Sequence, residues 1–252
     1  MASILLVAGP PVSARLWDGV ADRLRHLGHD AQTVELFDPA PPDPSVPALA
    51  ATLREALAHH DRPILVAHGT ALPVALAAAQ TSDLGGLVLT NGALGGLHPL
   101  ARAICAAARI PGVISKIALH PPIWQRWLAS SVGLRRAVVN PYVMDRDTVV
   151  ALSAPYLQSG AHRRAVTQYL AELPDAVAEV PSPDVATLVL WGDEDPLHPM
   201  HVADSARRWL PRAEVQVVPG GQHLHPVERP WAFADALDAW WRAERSTAGA
   251  TV

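Results

Sequence analysis

The chain has 252 residues, 50% hydrophobic and 17% charged, with a formal net charge of −4. That length suits one large domain, or one domain carrying an insertion, and it buries enough surface to need no disulfide or metal staple. The single cysteine, Cys105, excludes a disulfide framework and fits a reducing, cytoplasmic setting, while the mild acidity and scattered arginines offer no face for nucleic acid.

The opening Met1–Pro11 has no basic flank and reads as a strand, not a secretory signal, and no apolar run approaches the roughly 20 residues of a membrane span. Ser3–Ala8 is a short apolar run of the kind buried on both faces of a parallel sheet. Leu16, Val20, Leu24 and Leu27 follow at helical spacing, with Gly28 placed to end that helix. Ala31–Phe37 alternates as a strand, and a Pro/Asp-rich loop leads to a helix over Ala48–His59. A third strand spans Pro63–Ala67, an alanine-rich helix runs from Gly69 to Gln80, and Leu84–Thr90 is a fourth strand.

Residues 94–183 break this rhythm with helix-like pieces separated by Pro and Gly. Alternation then resumes: strand Ala186–Trp191, helix Met200–Trp209, strand Ala213–Val218, and a last helix over Pro230–Arg245 before a frayed tail, Ser246–Val252. The pattern predicts an α/β fold, a mostly parallel sheet with helices on both faces. Its core comprises residues 1–93 and 184–252, and residues 94–183 form a helical cap over the carboxyl ends of the strands, where such sheets bind ligands. The bias towards Arg and Ala, with Lys116 the only lysine, is that of a GC-rich bacterial genome.

Four strand ends carry the informative residues. They are Ala8-Gly9-Pro10-Pro11-Val12-Ser13 with Leu16-Trp17; Leu65-Val66-Ala67-His68-Gly69-Thr70-Ala71; Trp191-Gly192-Asp193-Glu194-Asp195-Pro196; and Pro219-Gly220-Gly221-Gln222-His223, followed by Glu228-Arg229-Pro230. In register they resemble the α/β-hydrolase family: its oxyanion loop, nucleophile elbow, acid loop and histidine loop, in that family's chain order. The resemblance implies the α/β-hydrolase fold with its cap inserted after the fourth strand. It also implies that Asp195 orients the imidazole of His223.

The departures decide the chemistry expected. The position that should hold the nucleophile is Gly69, with Ala67 and Ala71 in place of the flanking glycines. Glycine cannot form a covalent intermediate, and losing such a nucleophile costs on the order of 10⁶ in rate. Of the two N–H donors the frame provides for an oxyanion, one belongs to Thr70 and the other falls on Pro10, which has none. One missing donor costs about 10²–10³. Thr70 lies one residue out of register to replace the serine, and its β-branch suits the elbow poorly. Ordinary serine hydrolysis is therefore not expected.

What remains is His223 and Asp195, a pair able to do acid/base work without a serine. The competing reading makes both relics, Asp195 only shaping a turn. Pro10, Gly69 and Thr70 would floor a substrate site. Trp124 and Trp127, three apart on a helix after Pro121-Pro122, would roof it, or merely pack the cap onto the core. His68 reads as a supporting residue, and His198, His201 and His225 as solvated loop histidines. His198-x-x-His201 and His223-x-His225 suggest metal spacings, but no carboxylate or cysteine pattern joins them, so no metal is expected. No dinucleotide or phosphate-loop motif appears, so no cofactor is expected.

The expectation is a cofactor-independent, non-hydrolytic enzyme performing a cyclisation, isomerisation or lyase step. Its substrate would be a mostly apolar small molecule, such as a polyketide or another natural-product intermediate. The alternatives are a non-catalytic binding or scaffold protein, and an atypical hydrolase whose histidine activates water. Neither oligomeric state nor substrate is legible.

Overall fold

The computed structural model describes residues 1–178 and 181–249. Six strands, β1 (Ser3–Ala8), β2 (Asp30–Val34), β3 (Ile64–Gly69), β4 (Gly86–Gly92), β5 (Thr187–Gly192) and β6 (Ala213–Val218), form one sheet in the order β2-β1-β3-β4-β5-β6. Every pairing is parallel. β3, β4 and β5 are buried along their whole length, which is why they read as unbroken apolar runs. The edge strands β2 and β6 are only partly buried.

The helices of the repeating units are α1 (Asp18–His26), α2 (Val46–Leu57) and α3 (Leu72–Ala79). From β1 the chain crosses outward to β2, then returns past β1 to β3, so the loops after β1 and β3 part at a switch in strand order. Open α/β sheets bind ligands in that crevice, beyond the carboxyl ends of the strands. Pro10 and Thr70 stand on those two loops.

Between β4 and β5 lie α4 (Pro99–Ala108), α5 (Pro121–Leu128), α6 (Arg146–Leu157) and α7 (Gly160–Ala176), and no strand of the sheet comes from this segment among the described residues. Prolines at the first turn start α4 and α5, where a missing N–H costs nothing. Asp145 and Ser159 accept backbone N–H bonds at the starts of α6 and α7. The segment is fastened to the core by polar ties. Tyr156 donates to the Val12 carbonyl at 2.7 Å, Tyr169 donates to the Thr70 carbonyl, and Ser13 N–H donates to the Leu152 carbonyl at 2.8 Å.

The chain closes with α8 (Met200–Ser205), α9 (His225–Glu228) and α10 (Pro230–Gly249), the last packed against α1. α8 ends sooner than expected, passing into a 3-10 turn at Ala206–Arg208. The tail expected to fray from Ser246 remains helical to Gly249, and residues 250–252 lie outside the described residues. No described helix is long and apolar enough to cross a membrane.

Candidate active site

The loops after β1, β3, β4, β5 and β6 meet at the carboxyl edge of the sheet. β3 ends in a buried turn at Gly69, whose φ is +65°. A side chain there would be strained, but nothing stands within 4 Å of where its Cβ would lie. The nucleophile position of the frame is thus an open space.

The β5 and β6 loops bring Asp195 and His223 together. His223 Nδ1 and Asp195 Oδ2 are 2.9 Å apart, and both residues are buried. Burial alone would raise the carboxyl's pKa, but the charge and hydrogen bond of His223, together with His198, hold it well below the usual carboxylate range. Oδ1 accepts from Leu197 N–H at 2.7 Å. An ionised Asp195 places the imidazole proton on Nδ1 and leaves Nε2 as the basic nitrogen, with no protein hydrogen-bond partner among the described residues.

Two further histidines flank this pair. The ring of His198 stacks on that of His223 at 5.1 Å and 22°, and its Nδ1 lies 3.6 Å from Asp195 Oδ2, too long for a hydrogen bond. His68 donates through Nε2 to the His223 carbonyl, 2.9 Å away, which makes Nε2 its protonated nitrogen. Burial and the neighbouring His223 lower the His68 pKa well below the imidazole range, so it stays neutral. The supporting role expected of His68 is the one this geometry allows. The expectation of solvated loop histidines fails for His198 and His225. His225 is fully buried and held near a pKa of about 3, chiefly by burial, whereas His201 is exposed as expected.

Asn91 is the residue the sequence did not reveal. It is the last residue but one of β4, at a bulge where the pairing with β3 steps from Thr90 to Gly92, and its φ is +34°. Its amide reaches Asp195 Oδ2 at 2.7 Å and accepts Gly192 N–H at 2.9 Å. The one available signal was the Asn91-Gly92 pair itself, a dipeptide that tolerates left-handed backbone.

The β1 loop offers an oxyanion little. Pro10 and Pro11 have no N–H; the next two donors are spent, Val12 N–H on the Gly9 carbonyl at 3.3 Å and Ser13 N–H on Leu152. The Thr70 hydroxyl donates to the Pro10 carbonyl at 2.8 Å, so it is tied to the loop rather than presented as a nucleophile.

Pro10, Pro11 and Thr70 line an apolar pocket together with Trp124, Trp127 and Tyr156. The two indoles stack at 4.9 Å and 28°, as expected for neighbours on one helical face. Cys105, its thiol pushed up to about 11 by burial, also lines it as an inert apolar group. The pocket holds about 80 Å³, small against the roughly 300–1,000 Å³ usual for ligand sites. Gly69, Asp195 and His223 are not among its lining residues, so the pocket and the histidine pair are neighbours on one edge, not one chamber. A wider hollow of about 800 Å³, lined by Met1, Arg62 and Trp241, lies at the amino ends of the strands, away from these groups.

Asp195, His198 and His223 each offer a ligand atom, and these lie within 4.8 Å of one another, a convergence the sequence spacing did not show. His223 Nδ1 is already engaged by Asp195, so coordination of an ion through that nitrogen would break the pair.

The profile described as the alpha/beta hydrolase family matches residues 4–236. An alpha/beta hydrolase fold protein from Burkholderia ambifaria superposes with a TM-score of 0.75 at 21% identity, covering 94% of this chain and 89% of that one. A thermophilic esterase from Thermogutta terrifontis gives 0.72 at 22%, covering 97% and 90%. Haloalkane dehalogenase DbeA from Bradyrhizobium elkani gives 0.78 at 17%, covering 98% and 91%. At these identities the likeness is one of fold.

Proposed function

The chain belongs to the α/β-hydrolase family, and on that premise we propose that it is a cofactor-independent acid/base enzyme in which His223, oriented by Asp195, moves a proton on a mostly apolar small molecule. The observation that carries this reading is the intact, buried His223–Asp195 pair in a chain whose nucleophile position is a glycine with open space where its Cβ would lie. Gly69 leaves no atom to acylate or alkylate. The β1 loop leaves an oxyanion one donor short. A base without a nucleophile suits reactions that begin by removing or delivering a proton: cyclisation, isomerisation or C–C lyase steps, as in the assembly of polyketides and other natural products.

In this reading residues 94–183 act as a cap, and Pro10, Thr70, Trp124 and Trp127 hold the apolar body of the substrate beside Gly69. The pocket's small volume then means that α5 side chains shift on binding. The same open space at Gly69 would also hold a water molecule beside a histidine base, which favours the atypical hydrolase as the second reading; the esterase and dehalogenase of the same fold are enzymes of that general kind by name.

The test is proton exchange rather than turnover of a guessed substrate. Apolar 1,3-dicarbonyl compounds in D₂O should exchange their acidic C–H with the unmodified protein. With His223→Ala that exchange should fall by about 10²–10⁴. A serine-directed fluorophosphonate should label neither protein. Equal exchange by both proteins would refute the base. Release of acid from esters by the unmodified protein, lost in His223→Ala, would select the hydrolase reading instead.

A further inference from the structure

Asn91 touches more of the site's polar framework than any packing role needs. Its side-chain oxygen accepts Gly192 N–H at 2.9 Å, and a backbone N–H can only donate. That contact identifies the oxygen end of the amide, which also meets the Thr90 hydroxyl at 3.2 Å and His225 Nε2 at 3.0 Å. The nitrogen end therefore points the other way, 2.7 Å from Asp195 Oδ2 and 3.4 Å from the Gly192 carbonyl. An amide NH₂ has no lone pair to offer a protonated carboxyl, so Oδ2 must accept. The same Oδ2 accepts from His223 Nδ1.

We infer that Asn91 is a positioning residue for the pair: its amide, locked by Gly192 and His225, holds Asp195 ionised and keeps the His223 proton on Nδ1. Three donors then surround the carboxylate, Asn91 Nδ2, His223 Nδ1 and Leu197 N–H. The bulge at the end of β4 aims the amide sideways across Gly192 instead of up from the sheet. Of the other titratable groups facing His223, His68 on β3 bonds the His223 carbonyl instead of Oδ2, and His198 on the β5 loop lies 3.6 Å from Oδ2, too far to fix the carboxylate's orientation by a hydrogen bond.

The inference rests on the proposed function only for its meaning in catalysis; its test uses no substrate, so the two fail separately. Ring ¹⁵N shifts of the full chain should show His223 as the Nδ1–H tautomer with a downfield, slowly exchanging proton. Because φ is positive at this position, the informative variants are those that tolerate it, Asn91→Gly and Asn91→Asp. In Asn91→Gly the Nδ1–H should exchange on the order of tenfold faster, the loss of one charge-assisted bond to its acceptor. In Asn91→Asp two carboxyls 2.7 Å apart must share a proton, and the same resonance should stand at a different shift from that of the unmodified protein at the same pH. An Nε2–H tautomer in the unmodified protein, or an unchanged Nδ1–H signal in a folded variant, overturns the inference. The first of these measurements stands even if neither variant folds.

Discussion

At Gly69 the backbone and the space around it pull in opposite directions. The φ of +65° charges any L side chain about 1–2 kcal/mol, yet nothing stands within 4 Å of where its Cβ would lie. Gly69→Ser should therefore fold, with its Tm lowered by about 2–8 °C for a chain of this size. Restoring the hydroxyl should still give little ester hydrolysis. Pro10 and Pro11 supply no N–H, and the missing donor amounts to about 2.7–4 kcal/mol at the tetrahedral intermediate. Turnover of p-nitrophenyl acetate by Gly69→Ser and by Gly69→Ser/Pro10→Ala decides the matter, the double variant being the faster. An efficient single variant would show that another donor serves the oxyanion. The added hydroxyl would also occupy the space assigned to substrate, so the proton exchange of the unmodified protein should fall.

Among the elements, the strands were legible and the loops between them only in part. β1, β3, β4 and β5 are buried on both faces, so their apolar runs had no other reading, and the motifs at the ends of β5 and β6 brought Asp195 and His223 together as expected. Asn91 was illegible because its role comes from a bulge, and a bulge is a mismatch between two strands rather than a property of either. The burial of His198 and His225 was hidden for a related reason. Their loops are polar in sequence, and only the closure of the β5 loop onto the β6 loop takes them out of water. Gly192 makes that closure possible, since a Cβ there would lie 2.4 Å from the Gly221 carbonyl oxygen. Gly192→Ala should cost about 1–3 kcal/mol by forcing the two loops apart. The His223 Nδ1–H resonance should be lost with it. Thermal unfolding together with that proton signal checks both halves; a destabilised variant that keeps the signal would mean that the loops move as one unit.

For the whole molecule, the cluster of neutral buried histidines sets the acid limit of stability. Burial disfavours the charged forms of His68, His198 and His225 and lowers each pKa, that of His68 well below the ordinary imidazole value and that of His225 to about 3. Once unfolded, the same groups take up protons near pH 6.5. Below that pH the unfolded chain therefore binds up to three more protons than the folded one. The stability they contribute is fully present above about pH 6.5–7 and is lost as the pH falls. Each such proton steepens the loss by about 1.4 kcal/mol per pH unit at most, less where water reaches the ring. Asp195 and Asp238, both lowered, extend the loss below pH 4, whereas Glu35, raised by burial, opposes it weakly: its contribution is present at low pH and fades as the pH rises through its folded pKa. Urea unfolding at pH 5, 6, 7 and 8 should show a midpoint that climbs from 5 towards 7 and then levels, at constant m. His225→Gln, which can still donate to Asn91 and Thr90, should remove about one proton from the slope. A midpoint flat from pH 5 to 8 would mean that these imidazoles are protonated in the folded protein, and the neutral cluster around Asp195 would have to be redrawn with a charge inside it.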